Sequence, residues 1–147
     1  MDAYTLALTL LSSRELSEAQ LRTRLRRRKI ADQDIESAVA RLKADRTLND
    51  RRVAVALARM ESSIKHRGRA RIVQKIRQAG IDADTADDAI REVFQEVDES
   101  ALLDRAFERR MRGRTTKDLD EKARARLVRA LVGQGFSFDA VMKRVKK

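Results

Sequence analysis

The stretch from Gly68 to Val93, GRARIVQKIRQAGIDADTADDAIREV, decides the fold, because its pattern recurs on both sides of it. Ile72 and Ile76 are spaced i, i+4 and therefore lie on one face of a predicted helix. Gly80 follows, where a left-handed residue ends many helices. Beyond it, Asp84 is expected to cap a second helix with its own apolar stripe. The unit is a helix, a turn and a helix.

Two further copies of this unit flank the first. Moving the pattern so that Ile81 falls on Ile30 gives an earlier copy, and moving it to Phe136 gives a later one. The apolar pairs that align with Ile72 and Ile76 are Leu21 and Leu25, then Leu127 and Leu131. Lys29 stands where the other two copies have glycine, which costs a modest free energy if that residue must be left-handed.

The whole chain is predicted to be all-α, with three tandem three-helix repeats over residues 1–46, 47–97 and 98–147. The absence of proline, 3% aromatic residues and 39% charged residues favour helices over strands. Each repeat adds one more apolar-periodic helix ahead of the unit, which gives nine helices. Such repeats form an elongated or curved body whose stability depends partly on contacts between neighbours.

Two segments have the composition of turns. Lys65 to Arg71, KHRGRAR, is a basic turn around a glycine, and Arg112 to Asp120, RGRTTKDLD, is interpreted as a mobile loop or hinge.

The net charge of +11 favours a polyanion or an acidic protein surface as partner, without choosing between them. The lack of cysteine excludes disulfides and thiolate metal sites and is compatible with the cytoplasm, where we expect the protein. The opening MDAYTLALTLLSSRE has no basic segment and an interrupted apolar run, so neither a signal peptide nor a membrane span is expected.

Several motifs, in this order and spacing, resemble those of the RecX family of bacterial recombination regulators. They are A-x-x-L-L-S-x-R-E-L-S-x-x-x-L-x-x-x-L (Ala7 to Leu25), I-E-x-A-V-x-R-L (Ile35 to Leu42), L-N-D-x-x-V-A (Leu48 to Ala54), R-G-R-x-R-I-x-x-K-I-x-x-x-G-I (Arg67 to Ile81) and L-V-x-x-L-V-x-x-G-F (Leu127 to Phe136). The departures are Lys29 and Arg46 with Thr47, where the family tends toward glycine, and Val53, where an aromatic residue is usual.

The resemblance implies a non-enzymatic regulator of the RecA recombinase in homologous recombination, DNA repair and the SOS response. Family members resemble tandem repeats that lie in the groove of the RecA filament on single-stranded DNA and lower its strand-exchange, ATPase and coprotease activities. The expected partners are that filament and single-stranded DNA, with weak, salt-dependent binding to duplex DNA. A monomer without a cofactor is expected.

The candidate binding residues lie on the outward faces of the three second helices and in the basic turn. They are Arg22, Arg26, Arg27, Arg67, Arg69, Arg71, Arg77, Lys122, Arg126 and Arg129. Guanidinium groups bind phosphates and carboxylates equally well through forked hydrogen bonds. For any single residue, the alternative is a solvated charge that only keeps the protein soluble.

A stand-alone DNA-binding or transcription-regulating module is the alternative function. Base readout by a helix-turn-helix would need Asn or Gln beside Arg, and only Gln74 and Gln78 approach this. Base stacking would need exposed aromatic residues. We expect all five to pack in cores: Tyr4, Phe94, Phe107, Phe136 and Phe138. Any DNA affinity is therefore expected to be driven by phosphates and to fall with salt.

The residues do not favour an enzyme. His66 is the only histidine, is expected to be exposed, and lies in a basic turn without an obvious catalytic partner. The acids of the second unit are explained by their place at a helix start rather than by a metal: Asp82, Asp84, Asp87 and Asp88. The phosphate-binding pattern G-x-x-x-x-G-K-[ST] is absent, so ATP hydrolysis is not expected.

Overall fold

The computed structural model of the chain describes residues 1–146, and every regular element within them is helical. The helices are α1 (Ala3–Ser13), α2 (Glu18–Arg27), α3 (Asp32–Ala44), α4 (Asp50–Ser63), α5 (Arg69–Gln78), α6 (Ala83–Glu96), α7 (Glu99–Met111), α8 (Glu121–Gly133) and α9 (Phe138–Val145). One turn of 3-10 helix spans Thr116–Asp118. The predicted all-α class with nine α-helices is confirmed for the described range.

The start of α6 differs from the prediction. Asp84 is not its cap, because the side chain of Asp82 accepts a hydrogen bond from the backbone N–H of Thr85 at 2.7 Å and the helix begins at Ala83. Asp84 lies instead in the first turn, where a carboxylate still favours the helix through the macrodipole.

Each third of the chain has its own core. Leu21 and Leu25 pack in the first, Ile72 and Ile76 in the second, and Leu127 and Leu131 in the third, and all six are buried as the repeats predict. Phe94 and Val97, at the end of α6, pack against both the second and the third cores. The repeats therefore follow one another in series.

The surface area supports this extended arrangement. The chain exposes 9356 Å² for a mass of 16.8 kDa. A compact monomer of that mass exposes about 7,700 Å², so this chain has about a fifth more surface. The excess is what separate cores joined in series produce.

The first joint is made by the start of α2. The hydroxyl of Ser17 caps α2 by accepting the N–H of Gln20, and it also donates to the carbonyl oxygen of Ala79 at the end of α5. The next residue, Gly80, has φ +79°, and a Cβ atom there would overlap the Cβ atom of Ala19. The first turn of α2 therefore lies directly on the α5–α6 turn.

The second joint repeats this contact one unit further on. The N–H of Gly68 donates to the carbonyl oxygen of Gln134 at 2.9 Å, and the N–H of Ala70 donates to that of Gly135 at 3.2 Å. Gly135 has φ +112°, and a Cβ atom there would lie 2.6 Å from the Cβ atom of Arg71. In both joints, the first turn of the second helix of one repeat packs against the left-handed glycine of the next repeat.

Two departures from the family pattern fall on left-handed residues. Lys29 has φ 62°, as its alignment with Gly80 predicts, and Arg46 has φ 64°. Lys29 is exposed at the end of the array that no other repeat covers. A side chain is therefore tolerated there, whereas Gly80 and Gly135 lie against a neighbouring helix.

The segment interpreted as a hinge has local order. Arg112 and Gly113, both at positive φ, end α7, and Thr115 and Asp118 cap each other's backbone around the 3-10 turn. Its mobility remains a prediction.

Substitution of Gly135 by alanine tests the second joint. Gly135→Ala places a Cβ atom against Arg71 at a left-handed φ, so we expect the free energy of unfolding to fall by about 2 kcal/mol or more. Gly133→Ala is the control, because Gly133 is helical with open space around it, and it should raise stability by about 0.5 kcal/mol. Urea unfolding measures the change in the free energy of unfolding for both variants. Changes of the same sign would contradict the close approach of Gly135 to Arg71.

Substitution of Ser17 by alanine tests the first joint. Ser17→Ala removes the cap and the bond to Ala79, so we expect a loss of about 2 kcal/mol, about half from each. Ser137→Ala is the control, because the Ser137 hydroxyl caps α9 by accepting the N–H of Ala140 at 3.2 Å and should cost about 1 kcal/mol. Equal losses in urea unfolding would mean that the bond between repeats adds nothing.

Candidate functional site

In the first repeat, two of the three candidate cations are paired. Arg22 donates from Nε and Nη2 to the carboxylate of Glu36 at 2.9 and 3.0 Å. The hydrogen bonds and charge of Arg22 lower the pKa of Glu36, and the same bonds raise the pKa of Arg22. Nε of Arg26 lies 3.6 Å from Oδ1 of Asp32. Arg27 is exposed and makes no ion pair within residues 1–146.

In the second repeat, the basic turn is built around a buried acid. Glu61 is 1% exposed, and its carboxylate lies 3.8 Å from Nε of Arg67 and 3.9 Å from Nζ of Lys65. The single histidine, His66, has φ 52° and is half-buried, so the expectation of an exposed side chain is wrong. It is half-buried because the turn packs on the third repeat, where the side-chain amide of Gln134 donates to the carbonyl oxygen of His66 at 2.8 Å.

The other candidates of the second repeat have local partners. Arg69 donates to Glu99 at 2.6 Å, and its guanidinium carbon lies 4.7 Å from the ring centre of Phe94. Arg71 donates to Gln74, and Arg77 donates to the carbonyl oxygen of Ile81 at 2.9 Å. Only the charge of Arg69 is therefore compensated by an acid, whereas Arg71 and Arg77 keep their charge and have their direction set by neutral acceptors.

The third repeat presents its candidates to solvent. Lys122, Arg126 and Arg129 are exposed on α8 and form no ion pair in the described part of the chain. With Arg27 they are the members of the predicted set that remain free to bind a partner.

A basic cleft that the sequence reasoning missed lies between the second and third repeats. Its volume is about 850 Å³, and no acidic side chain lines it. Its cations are Lys65, Arg67, Arg109, Arg110, Arg112 and Arg114. The sequence signal is the run RRMRGR at the end of α7, whose second half belongs to the segment interpreted as a hinge. The sequence could not place this run beside Lys65.

A second groove between the same repeats has a different character. Its volume is about 620 Å³, and Val73, Leu103 and Phe136 line it together with charged residues. Two of its three cations have acids beside them, since Arg69 donates to Glu99 and Nε of Arg144 donates to Asp104, both at 2.6 Å. This groove is apolar, and most of the charge at its rim is compensated.

The aromatic residues follow the prediction with one exception. Phe107 and Phe136 are buried in the third core, and Tyr4 and Phe94 pack beside cores under the guanidinium groups of Arg41 and Arg69. The expectation of a packed side chain is wrong for Phe138, which is 58% exposed. Phe138 is the first residue of α9, and the core-facing stripe of that helix starts later, at Val141.

Neither a metal-binding cluster nor a membrane-spanning helix occurs in the part of the chain that the structure describes. Within residues 1–146, no three histidine or acidic side chains converge to hold a metal ion, and Asp82 serves as the cap of α6. No helix in that range combines the length and the apolar character that crossing a bilayer requires.

Two family models match the chain. The RecX first three-helix domain matches residues 3–42, and the RecX second three-helix domain matches residues 49–90. The regulatory protein RecX of Pseudomonas entomophila is 33% identical over 135 residues, which are 92% of this chain and 84% of that protein. The regulatory protein RecX of Trichlorobacter lovleyi is 28% identical over 149 residues, with 99% and 95% covered.

Solved structures share the architecture. The crystal structure of RecX from Lactobacillus salivarius matches with a TM-score of 0.84 at 21% identity, covering 98% of this chain and 92% of that one. A second RecX crystal structure gives a TM-score of 0.80 at 23% identity, covering 98% and 70%. Fold and family matches together define a regulatory protein built from tandem three-helix domains. The chain belongs to the RecX family.

The division into paired and free cations can be tested on Arg22. Arg22→Gln removes the bonds that lower the pKa of Glu36, and a lowered carboxyl pKa contributes stability that is lost as the pH falls through the folded-state value. We expect the urea midpoint to fall at pH 7 and to converge with that of the parent as the pH drops below about 4. Lys122→Gln is the control and should leave the midpoint unchanged at both pH values. A loss for Arg22→Gln that persists in acid would contradict the ion-pair explanation.

Proposed function

We propose that the chain is a non-enzymatic regulator that binds the RecA recombinase filament on single-stranded DNA and inhibits its strand-exchange, ATPase and coprotease activities. The observation that carries the proposal is membership of the RecX family, with a relative named regulatory protein RecX aligned over 92% of the chain. The regulatory role follows from membership of the family. The recombinase as target follows from the sequence motifs, which resemble those of the RecX regulators.

The architecture supplies a physical reason for inhibition. An array of three repeats in series spans more distance than a compact protein of equal mass, so it can contact neighbouring subunits of a filament at once. Cations along the array bind acidic protein surface, DNA phosphates or both. Bridging neighbouring subunits then hinders their exchange and the entry of a second DNA strand.

The joints would set how the array follows a helical groove. Each joint has a close backbone approach with a hydrogen bond from one repeat to the next. Such contacts fix the angle between repeats, so the curvature is present before binding and little conformational entropy is lost on docking.

A stand-alone DNA-binding module is the second candidate, favoured by the net charge of +11 and the free cations of α8. Sequence-specific readout is less favoured, because Gln74, one of the two amides available for it, already accepts a hydrogen bond from Arg71.

We also propose that the regulator acts as a monomer and is located in the cytoplasm.

Binding to coated and bare DNA tests the proposed function. The purified protein is titrated at matched moderate salt into single-stranded DNA alone and into the same DNA coated with recombinase and a non-hydrolysable nucleotide. We expect binding to coated DNA to be at least about tenfold tighter and strand exchange to be lost at substoichiometric protein. Equal or weaker binding to coated DNA would make the DNA-binding module the better explanation.

A variant with unchanged net charge separates the effect of shape on binding from the effect of charge. Gly135→Ala keeps every cation but loosens the second joint. If the fixed curvature matches the filament, this variant loses more affinity for coated DNA than for bare DNA. A parallel loss on both DNAs would contradict a role for the joint geometry.

A further inference from the structure

The basic cleft between the second and third repeats carries a charge that the protein does not neutralise. Within residues 1–146, its six cations form ion pairs only with Glu61, which lies near Lys65 and Arg67. The carboxyl ends of α4, α7 and α8 also line the cleft, and each adds about half a negative charge. Six positive charges against about two and a half negative ones leave an excess in a concave site, which attracts an anion.

The joint holds the cations of the cleft in place. Gln134 donates to the carbonyl oxygen of His66 and accepts from Nε of Arg110 at 3.1 Å, so it links the basic turn of the second repeat to α7 of the third. Arg109 and Arg112 have no ion pair or side-chain hydrogen bond in the described structure and are exposed. The cleft thus has fixed walls and two free guanidinium groups.

The lining favours phosphates over a protein surface. A protein interface takes most of its energy from buried apolar anchors, and such side chains line the other groove, at Leu103 and Phe136. The basic cleft has only Ile64 and two alanines among its apolar residues and no aromatic residue. It offers many charges and no platform for base stacking, so it fits a nucleic-acid backbone irrespective of sequence.

A smaller cleft with the same character lies at the first joint. It has a volume of about 280 Å³, contains Arg14, Arg24 and Arg27, and has no acidic lining residue. Ala79 lines this cleft, and Gln134 lines the larger one. The carbonyl oxygens of these two residues accept the hydrogen bonds that link the repeats at the two joints. Uncompensated cations therefore recur where the joint recurs.

We propose that the clefts at the two joints, and chiefly the one between the second and third repeats, bind the phosphate backbone of DNA. The exposed face of α8 is not that site. The inference deepens the proposed function, because it assigns the DNA contact of the regulator to the clefts, which include Arg27 and Arg67 of the predicted set, and leaves the outward face of α8 to other roles.

The test compares two double variants of the third repeat that remove equal charge. Arg109→Gln with Arg112→Gln changes the cleft, and Lys122→Gln with Arg129→Gln changes the outward face of α8. Each is titrated into an oligodeoxythymidylate of about 30 nucleotides over a range of salt, first bare and then coated with recombinase. Circular dichroism and urea midpoints establish that both variants fold.

The cleft variant is expected to bind about tenfold more weakly at moderate salt. Its slope of log affinity against log salt should fall by about 1.4, since each single-strand phosphate contact contributes about 0.7. The α8 variant should lose no more than about twofold. Arg109→Lys with Arg112→Lys keeps both charges and should keep the slope, which separates a charge effect from a structural one.

Two results would overturn the inference. An equal or larger loss in the α8 variant would place DNA on the outward faces. An unchanged slope in the cleft variant, with weaker binding to recombinase-coated DNA, would mean that the cleft contacts protein. The second result would leave the proposed regulator intact, because binding to the coated filament would still depend on this protein's own surface.

Discussion

The structure depends on the approach of one helix start to one left-handed glycine. At each joint the first turn of a second helix packs where a Cβ atom would collide, against Gly80 in one case and Gly135 in the other. A hydrogen bond from the capping residue, the hydroxyl of Ser17 or the amide of Gly68, closes each contact. These contacts bring distant charged residues together, so both clefts follow from the joints.

The cations divide into two groups by what surrounds them. Arg22, Arg69 and Arg77 hydrogen-bond to neighbouring elements and help to orient helices. Arg109 and Arg112 stand at a helix end and form no ion pair within the described residues. The net charge sums both groups. Binding depends on the cations without an ion pair and on where the fold brings them together.

Most of the fold could be predicted from the sequence, because the period of Ile72 and Ile76 and the glycine after them are local signals. The cap of α6 was misplaced because Asp82 and Asp84 are both competent and only the backbone path decides between them. The site was harder to predict. The pairing of Arg22 with Glu36 depends on how α2 crosses α3, and the basic cleft depends on the joint that brings Lys65 to α7.

Lys29 makes the turn of the first repeat different from the other two. It occupies the position of Gly80 and Gly135, but it carries a Cβ atom at a left-handed φ. A helix start placed against it as Arg71 lies against Gly135 would meet that Cβ atom at a distance shorter than van der Waals contact. The contact that joins the repeats within the chain is therefore blocked by stereochemistry at the exposed turn of the first repeat.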